Sequence, residues 1–483
     1  MARKAGKRTG SPLHYHLIGI GGSAMASLAG LLKAAGHRVT GSDENVYPPM
    51  STELERMGIP FNQGYRPENL APKPDVVVVG NAISRGNPEL EELLVRKLRY
   101  TSAAATIKEE FIWGRHSLAV AGTHGKTTTT SLLAWVLESA GLNPSFLIGG
   151  VAENFGTSYR LTDSKYFVIE ADEYDTAYFD KGPKMWHYLP DTAIVNNIEF
   201  DHADIYRDEE AYKFAFARFI NLIPKNGVLV AGWDSPLTRE LASKSLAPVE
   251  SFAYGDETPP PAGQAHWHAR DVEFSESGTT FRAFRSNEEW GKVETPLAGA
   301  FSVRNVLAVI AAAESIKANR DGVRQGLRTF TSVKRRMEVR GEARGVVVID
   351  DFAHHPTAVR ETIDAVRQKY SGRRIVAVFE PRSYTAQRRE FQGDYVKAFG
   401  GADEIILASL FHPERYTAET AINLPEMVTT WESSGKAAKH LKDADAIVKD
   451  LGPRLVKGDV VLVMSNGGFG GIHQKLLDAL GKN

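Results

Sequence analysis

The sharpest chemical signature in this chain is Gly122-Thr123-His124-Gly125-Lys126-Thr127, preceded by the apolar run 117–121 and followed by a helical pattern through residue 137. In a strand, loop, helix order, successive loop N–H groups cradle phosphates, while Lys126 neutralises the β and γ oxygens and Thr127 offers a hydroxyl to Mg²⁺. Thr128 continues the first helical turn. The first glycine of the general phosphate-loop pattern would fall at Val120, so the loop is a shortened variant. This pattern expects ATP with Mg²⁺.

Two polar clusters follow apolar strands further on. In Tyr166-Phe167-Val168-Ile169-Glu170-Ala171-Asp172-Glu173-Tyr174-Asp175, the strand-end Glu170 suits a hard cation that wants carboxylate oxygens. So many neighbouring acids repel one another without a cation, and a solvated acidic loop is the alternative. In Thr192-Ala193-Ile194-Val195-Asn196-Asn197-Ile198-Glu199-Phe200-Asp201-His202, the imidazole of His202 could bind a divalent metal or touch a transferring phosphoryl group.

Two further strand ends carry polar or glycine-rich turns. His14-Tyr15-His16-Leu17-Ile18-Gly19-Ile20-Gly21-Gly22-Ser23 enters a helical run, and Asp43 follows a second strand. Glycines there let backbone amides approach a diphosphate at a helix N-terminus, with Asp43 at a spacing suited to ribose or base. A dehydrogenase-type dinucleotide site or a turn without ligand reads the same way. Near the other end, Val346-Val347-Val348-Ile349-Asp350-Asp351-Phe352-Ala353-His354-His355-Pro356 ends a buried strand in acids and histidines, which are ligand groups or helix caps. Strands at 375–379, 404–408 and 460–464 complete a sheet there, and the last leads into Ser465-Asn466-Gly467-Gly468-Phe469-Gly470-Gly471.

The elements that position these residues alternate as β-branched run, turn and amphipathic helix, the mark of an α/β chain built from βαβ units around parallel sheets. A length of 483 residues suggests about three domains, and the proline-rich stretch 258–263 reads as a surface loop. A formal charge of −1 exerts no general pull on nucleic acid or anionic membrane, and the absence of cysteine excludes disulfides and thiolate chemistry. No apolar run approaches the roughly 20 residues that span a bilayer. The basic start, Met1-Ala2-Arg3-Lys4-Ala5-Gly6-Lys7-Arg8, reads as a solvated tail, and the expected location is cytoplasmic.

Together these segments, over about residues 14–480, resemble the Mur ligase family. The resemblance rests also on Gly41-Ser42-Asp43-Glu44-Asn45, on Gly80-Asn81-Ala82-Ile83-Ser84-Arg85-Gly86-Asn87-Pro88, and on Met464-Ser465-Asn466-Gly467-Gly468-Phe469-Gly470-Gly471-Ile472-His473. It implies a three-domain architecture: a Rossmann-like UDP-substrate domain (1–114), a P-loop ATPase domain (115–332) and a Rossmann-like peptide-binding domain (333–483). It further implies Lys126, Glu170, His202 and Arg336 as catalytic residues, with Thr127, Glu170 and His202 on metal. Gly122, Thr123, His124, Gly125, Thr128, Asn305 and Asp351 would join Lys126, Thr127 and Arg336 at ATP. Gly21, Gly22, Ser23, Asp43 and Asn81 would hold the UDP portion, and His354, Arg382 and Asn466 the incoming peptide.

Within the family the motifs look like the branch that joins the murein tripeptide L-alanyl-γ-D-glutamyl-meso-diaminopimelate to UDP-N-acetylmuramic acid. The alanine-adding branch is the alternative, and it usually shows Tyr-Gly where Phe352-Ala353 stand. Phe301-Ser302 occupy places where the family often writes His-Asn, so the surroundings of Asn305 differ. Ala217 stands where several relatives carry a carboxylated lysine, and none is expected here.

Overall fold

Runs of β-branched residues bounded by glycine turns set the sheets, and the computed structural model describes residues 11–47, 50–201, 205–255 and 258–481. The chain folds as two units, the first from residues 1–199, 209–267 and 306–327, the second from 200–208, 268–305 and 328–483. His202 lies outside the described residues.

The first unit opens with strands β1 (His14–Ile18), β2 (Arg38–Asp43), β3 (Phe61–Gln63), β4 (Val76–Val79) and β5 (Tyr100–Ser102), paired in the order β3-β2-β1-β4-β5. All pairings are parallel. The four valines of β4 are all buried, as expected of a parallel strand covered on both faces. Because β2 lies on one side of β1 and β4 on the other, the loops after β1 and β4 border the crevice where open α/β sheets take ligands. The helix Ser23–Ala34 follows β1. The helix Pro88–Val95 follows β4 and starts at Asn87, whose side chain accepts the amides of Glu89 and Leu90.

The same unit then builds β6 (His116–Ala121), β7 (Ser145–Ala152), β8 (Thr157–Arg160), β9 (Tyr166–Glu170), a small hairpin of β10 (Asp175–Ala177) and β11 (Asp180–Pro183), β12 (Thr192–Val195), β13 (Val228–Gly232) and β14 (Val249–Ala253). Apart from the hairpin these pair in the order β14-β13-β12-β6-β9-β7-β8. β6 is therefore central, and its loop is flanked by the ends of β9 and β12. The expected loop at 258–263 lies between β14 and the next strand.

The second unit holds the antiparallel pair β16 (Gly278–Arg285) and β17 (Glu288–Thr295), which follows β15 (Ala265–Ser275) in the chain. Its larger sheet runs β18 (Glu338–Ala343), β19 (Val346–Asp351), β23 (Val460–Met464), β20 (Ile375–Phe379), β21 (Glu404–Ala408), β22 (Ala437–Leu441). Val347, Ile349, Ala377 and Leu462 face one apolar core, and Val346, Val348, Val378 and Val463 the other. This period-2 alternation with both faces apolar is what helices on both sides of a sheet require. The strands expected at 375–379, 404–408 and 460–464 are β20, β21 and β23.

Candidate functional site

The loop after β6 is drawn in tightly. Gly122 has φ +132°, and a Cβ there would stand 3.0 Å from the Asn197 carbonyl oxygen and 3.1 Å from the Asn196 nitrogen. Gly125 has φ +81° and begins the helix Lys126–Ser139. Both positions favour glycine, the first also for want of space. The amide of Thr123 donates to the Asn197 carbonyl at 3.0 Å, and that of His124 to Asn197 Oδ1 at 2.8 Å. First-turn amides, here those of Lys126, Thr127 and Thr128, have no intrahelical acceptor and are aimed out of the helix start. His124 also meets Glu199 at 3.0 Å.

Of the residues expected from the sequence, Lys126, Thr127 and Glu170 meet at this loop. Thr127 Oγ1 donates to Glu170 Oε1 at 3.0 Å, and the Gly149 amide donates to Glu170 Oε2 at 2.8 Å. Lys126 Nζ donates to the Gly122 carbonyl at 2.7 Å and lies 2.7 Å from Glu173 Oε2. Glu173 is fully buried. Burial opposes the charge of Lys126, but Glu173, Asp172 and Glu170 outweigh it and hold its pKa above the usual lysine value. Burial pushes the Glu170 carboxyl up, outweighing Lys126 and the Gly149 amide. A hydroxyl and a carboxylate side by side form a hard-oxygen donor set that fits Mg²⁺.

The three acids that follow Glu170, namely Asp172, Glu173 and Asp175, do not rely on a bound ion alone to offset their repulsion. Lys126 meets Glu173, Lys184 meets Asp172 at 3.3 Å, and Lys181 meets Asp175 at 2.6 Å. In sequence, Glu170 stands out as a strand-end acid, whereas Glu173 and Gly149 do not suggest a place at the loop. Gly149 had a signal, since a glycine inside a strand marks close approach. A Cβ there would lie 2.7 Å from Glu170 Oε2.

In the first sheet, the Gly21 amide donates to Asp43 Oδ2 at 2.9 Å, so the glycine turn and the strand-end acid meet. Gly22 precedes the first residue of the helix, Ser23, and both are exposed. Asn81 is exposed in the loop after β4, across the crevice from the glycine turn. Beneath them sits a network the sequence did not reveal. Buried Glu89 accepts from Ser42 Oγ at 2.5 Å and from the Arg66 amide at 3.2 Å, and His16 Nε2 stands 3.3 Å away. Burial pushes its carboxyl up, but the hydrogen bonds of His16, Ser42 and Asn69 outweigh it and hold the carboxyl below the usual range.

In the second unit, Asn305 is 5% exposed, and its Nδ2 is buried with no hydrogen-bond partner among the described residues. An orphaned donor of this kind is costly unless a ligand acceptor meets it, which fits an adenine contact. Asp351 accepts the amides of Met337 at 2.7 Å and Ala353 at 2.8 Å. Burial pushes its carboxyl up against those amides and the charge of Arg336. Arg336 lies over the Phe352 ring at 4.9 Å. His354, Arg382 and Asn466 follow β19, β20 and β23, which are neighbours in the sheet, so three residues far apart in sequence share one sheet edge. His354 Nδ1 is 3.1 Å from the Phe352 carbonyl. The Arg382 guanidinium lies 3.7 Å from the Phe411 ring centre. A Cβ on Gly467 would fall 2.6 Å from Arg382 Cζ. Asn466 Oδ1 is buried without a partner among the described residues.

Three family models match in succession: Mur ligase family, catalytic domain, over residues 14–110; Mur ligase middle domain, over 120–313; and Mur ligase, glutamate ligase domain, over 335–467. The chain is 42% identical to a UDP-N-acetylmuramate–L-alanyl-γ-D-glutamyl-meso-2,6-diaminoheptandioate ligase of Escherichia coli K12, covering 97% of this chain and 99% of the other. A UDP-N-acetylmuramate–L-alanine ligase of Myxococcus xanthus is 33% identical over 98% of this chain and 96% of its own. Among solved structures, the murein peptide ligase of Psychrobacter arcticus 273-4 superposes with a TM-score of 0.70 at 37% identity, covering 98% and 99% of the two chains.

Proposed function

The chain belongs to the Mur ligase family, whose members are ATP-dependent ligases working with Mg²⁺, and on that premise we propose that it joins L-alanyl-γ-D-glutamyl-meso-diaminopimelate to UDP-N-acetylmuramic acid. The observation that carries the chemistry is the meeting of Lys126, Thr127 and Glu170 at one loop. The choice of tripeptide over L-alanine is supported by 42% identity to the tripeptide ligase against 33% to the alanine ligase.

A carboxylate does not condense with an amine in water because its oxygen leaves poorly. In this reading the muramoyl carboxylate attacks the γ-phosphorus of ATP in line, the bond to the β,γ-bridging oxygen breaks, and ADP departs, leaving an acyl phosphate. The free amine of the tripeptide then attacks the acyl carbon, phosphate leaves, and the amine loses a proton. Lys126 and the first-turn amides of residues 126–128 stabilise charge on the phosphoryl oxygens. Thr127 and Glu170 would hold Mg²⁺, with His202 assigned to the same task by the family resemblance, and the ion supplies charge neutralisation on the β and γ oxygens.

Gly21, Gly22, Ser23, Asp43 and Asn81 line the crevice assigned to the UDP moiety. Asn305, Arg336 and Asp351 serve the nucleotide, and His354, Arg382 and Asn466 the peptide. In domain terms the UDP substrate belongs to 1–114, ATP to 115–332 and the peptide to 333–483. Among the described residues no helix is long and apolar enough to cross a membrane, and the reading places the work in the cytoplasm, in peptidoglycan recycling. The test is an isotope transfer: UDP-N-acetylmuramic acid labelled with ¹⁸O in its carboxylate delivers one labelled oxygen to the released phosphate. Unlabelled phosphate accompanying product formation would rule out the acyl phosphate.

A further inference from the structure

The β10–β11 hairpin has a tip, Tyr178-Phe179, that the phosphate chemistry does not use. Its base is tied into the acid cluster. The Lys184 amide donates to the Tyr174 carbonyl at 2.9 Å, the Met185 amide to the Asp172 carbonyl at 3.0 Å, and Thr176 Oγ1 to the Gly182 carbonyl at 2.8 Å. The strand leading into it, β9, ends in Glu170. Its tip reaches the first sheet. Phe179 meets Tyr100 edge-on with ring centres 5.0 Å apart. Tyr178 packs on the cluster that includes Ile18, Val79, Ile83 and Leu90. Ile83 belongs to the loop that carries Asn81, and it lies 3.4 Å from where a Cβ on Gly19 would stand. One short hairpin thus runs from the Glu170 end of β9 to the floor of the crevice between the β1 and β4 loops.

A second connection repeats the arrangement. β7, whose Gly149 amide bonds Glu170, pairs with β8, and β8 seats the helix Ser23–Ala34. Ser158 Oγ is 2.8 Å from Ser27 Oγ, and the Tyr159 ring fills the space over Gly30, where a Cβ would fall 2.7 Å from Tyr159 Cε2. Both walls of the crevice therefore rest on elements tied to Glu170, one following it in the chain and the other, through β7, bonded to its carboxylate.

We infer that the hairpin couples the crevice to the phosphate loop, and that Tyr178 is a positioning residue that holds the muramoyl carboxylate in line with the phosphoryl group. This rests on the reading of the crevice as the UDP-substrate site. Small displacements of reacting groups cost much in rate, whereas ATP, seated on residues 122–128, is indifferent to the hairpin tip. Tyr178→Ala therefore raises KM for UDP-N-acetylmuramic acid and lowers kcat, each about tenfold, with KM for ATP within about twofold. Tyr178→Phe keeps the ring and restores most of the loss. Tyr100→Ala, which attacks the same contact from the other side, reproduces the pattern.

Amide hydrogen exchange on the free protein gives a readout that does not depend on turnover. Exchange in Tyr178→Ala rises over residues 80–87 and stays as in the wild type over 122–128. Equal changes in both KM values, a Tyr178→Phe variant as impaired as Tyr178→Ala, or unchanged exchange at 80–87 would each overturn the inference. A wild-type protein inactive on these substrates defeats the functional reading instead, and the exchange arm still decides the coupling.

Discussion

Replacing Glu173 by Gln removes one charge from the interior of the first unit while keeping the side chain's shape. Glu173 is fully buried, and Lys126 Nζ lies 2.7 Å from its Oε2. Deleting one partner of a buried pair costs about 3–5 kcal/mol, because the other is left desolvated. The lower end applies here, since Lys126 keeps the carbonyls of Gly122 at 2.7 Å and Thr123 at 3.3 Å, and the charges of Asp172 and Glu170 still act on it. A loss of about 3 kcal/mol lowers the melting temperature by about 6–12 °C for a unit of this size.

ATP should recover much of that loss. Its phosphates bring the negative charge that Gln no longer supplies, and a ligand that binds only the native state stabilises it by mass action. The assay is thermal unfolding with and without ATP and Mg²⁺. The expected result is a larger nucleotide-induced rise for the variant than for the wild type. The sign with pH follows from the raised Lys126 value: its contribution is complete below the ordinary 10.5 and fades only as pH climbs through the raised folded value. The difference between variant and wild type is therefore flat from about pH 6 to 9. An unchanged melting temperature without nucleotide, or a deficit that ATP leaves intact, refutes the reasoning.

Three other outcomes are expected. Lys126→Ala abolishes ADP formation, by about a thousandfold or more, with the far-ultraviolet circular dichroism of the wild type; ADP release at the wild-type rate would contradict its role. Asn305→Leu removes a buried donor that has no partner among the described residues, so the protein is no less stable than the wild type and gains up to about 1 kcal/mol, while KM for ATP rises; steady-state kinetics beside calorimetry checks both. Gly467→Ala pushes on the Arg382 guanidinium, so KM for the tripeptide rises several-fold with KM for ATP unchanged, as initial-rate measurements will show.

What was legible in the sequence was local. The order of strand, glycine loop, Lys126 and Thr127 specifies its own geometry within a dozen residues, and Glu170 announced itself as an acid closing an apolar strand. Glu173 did not, because its meaning is set by Lys126, 47 positions away, and its neighbours Asp172 and Asp175 look no different in sequence. Asn197 reads as a polar residue after a strand until its side chain and carbonyl are seen holding the loop amides of His124 and Thr123. His354, Arg382 and Asn466 were found one at a time through the family resemblance. Their strands read as parts of one sheet, but that the three are neighbours depends on β23 inserting between β19 and β20, a pairing set by strand order and not by any motif. The hairpin tip at Tyr178 was missed for the same reason, since an aromatic pair in a turn gives no sign of which sheet it will meet.

The most direct test of the central claim supplies purified protein with ATP, Mg²⁺ and UDP-N-acetylmuramic acid, and compares phosphate release with L-alanyl-γ-D-glutamyl-meso-diaminopimelate against release with L-alanine. The account predicts sustained turnover with the tripeptide and little with alanine; turnover with alanine and none with the tripeptide would contradict it.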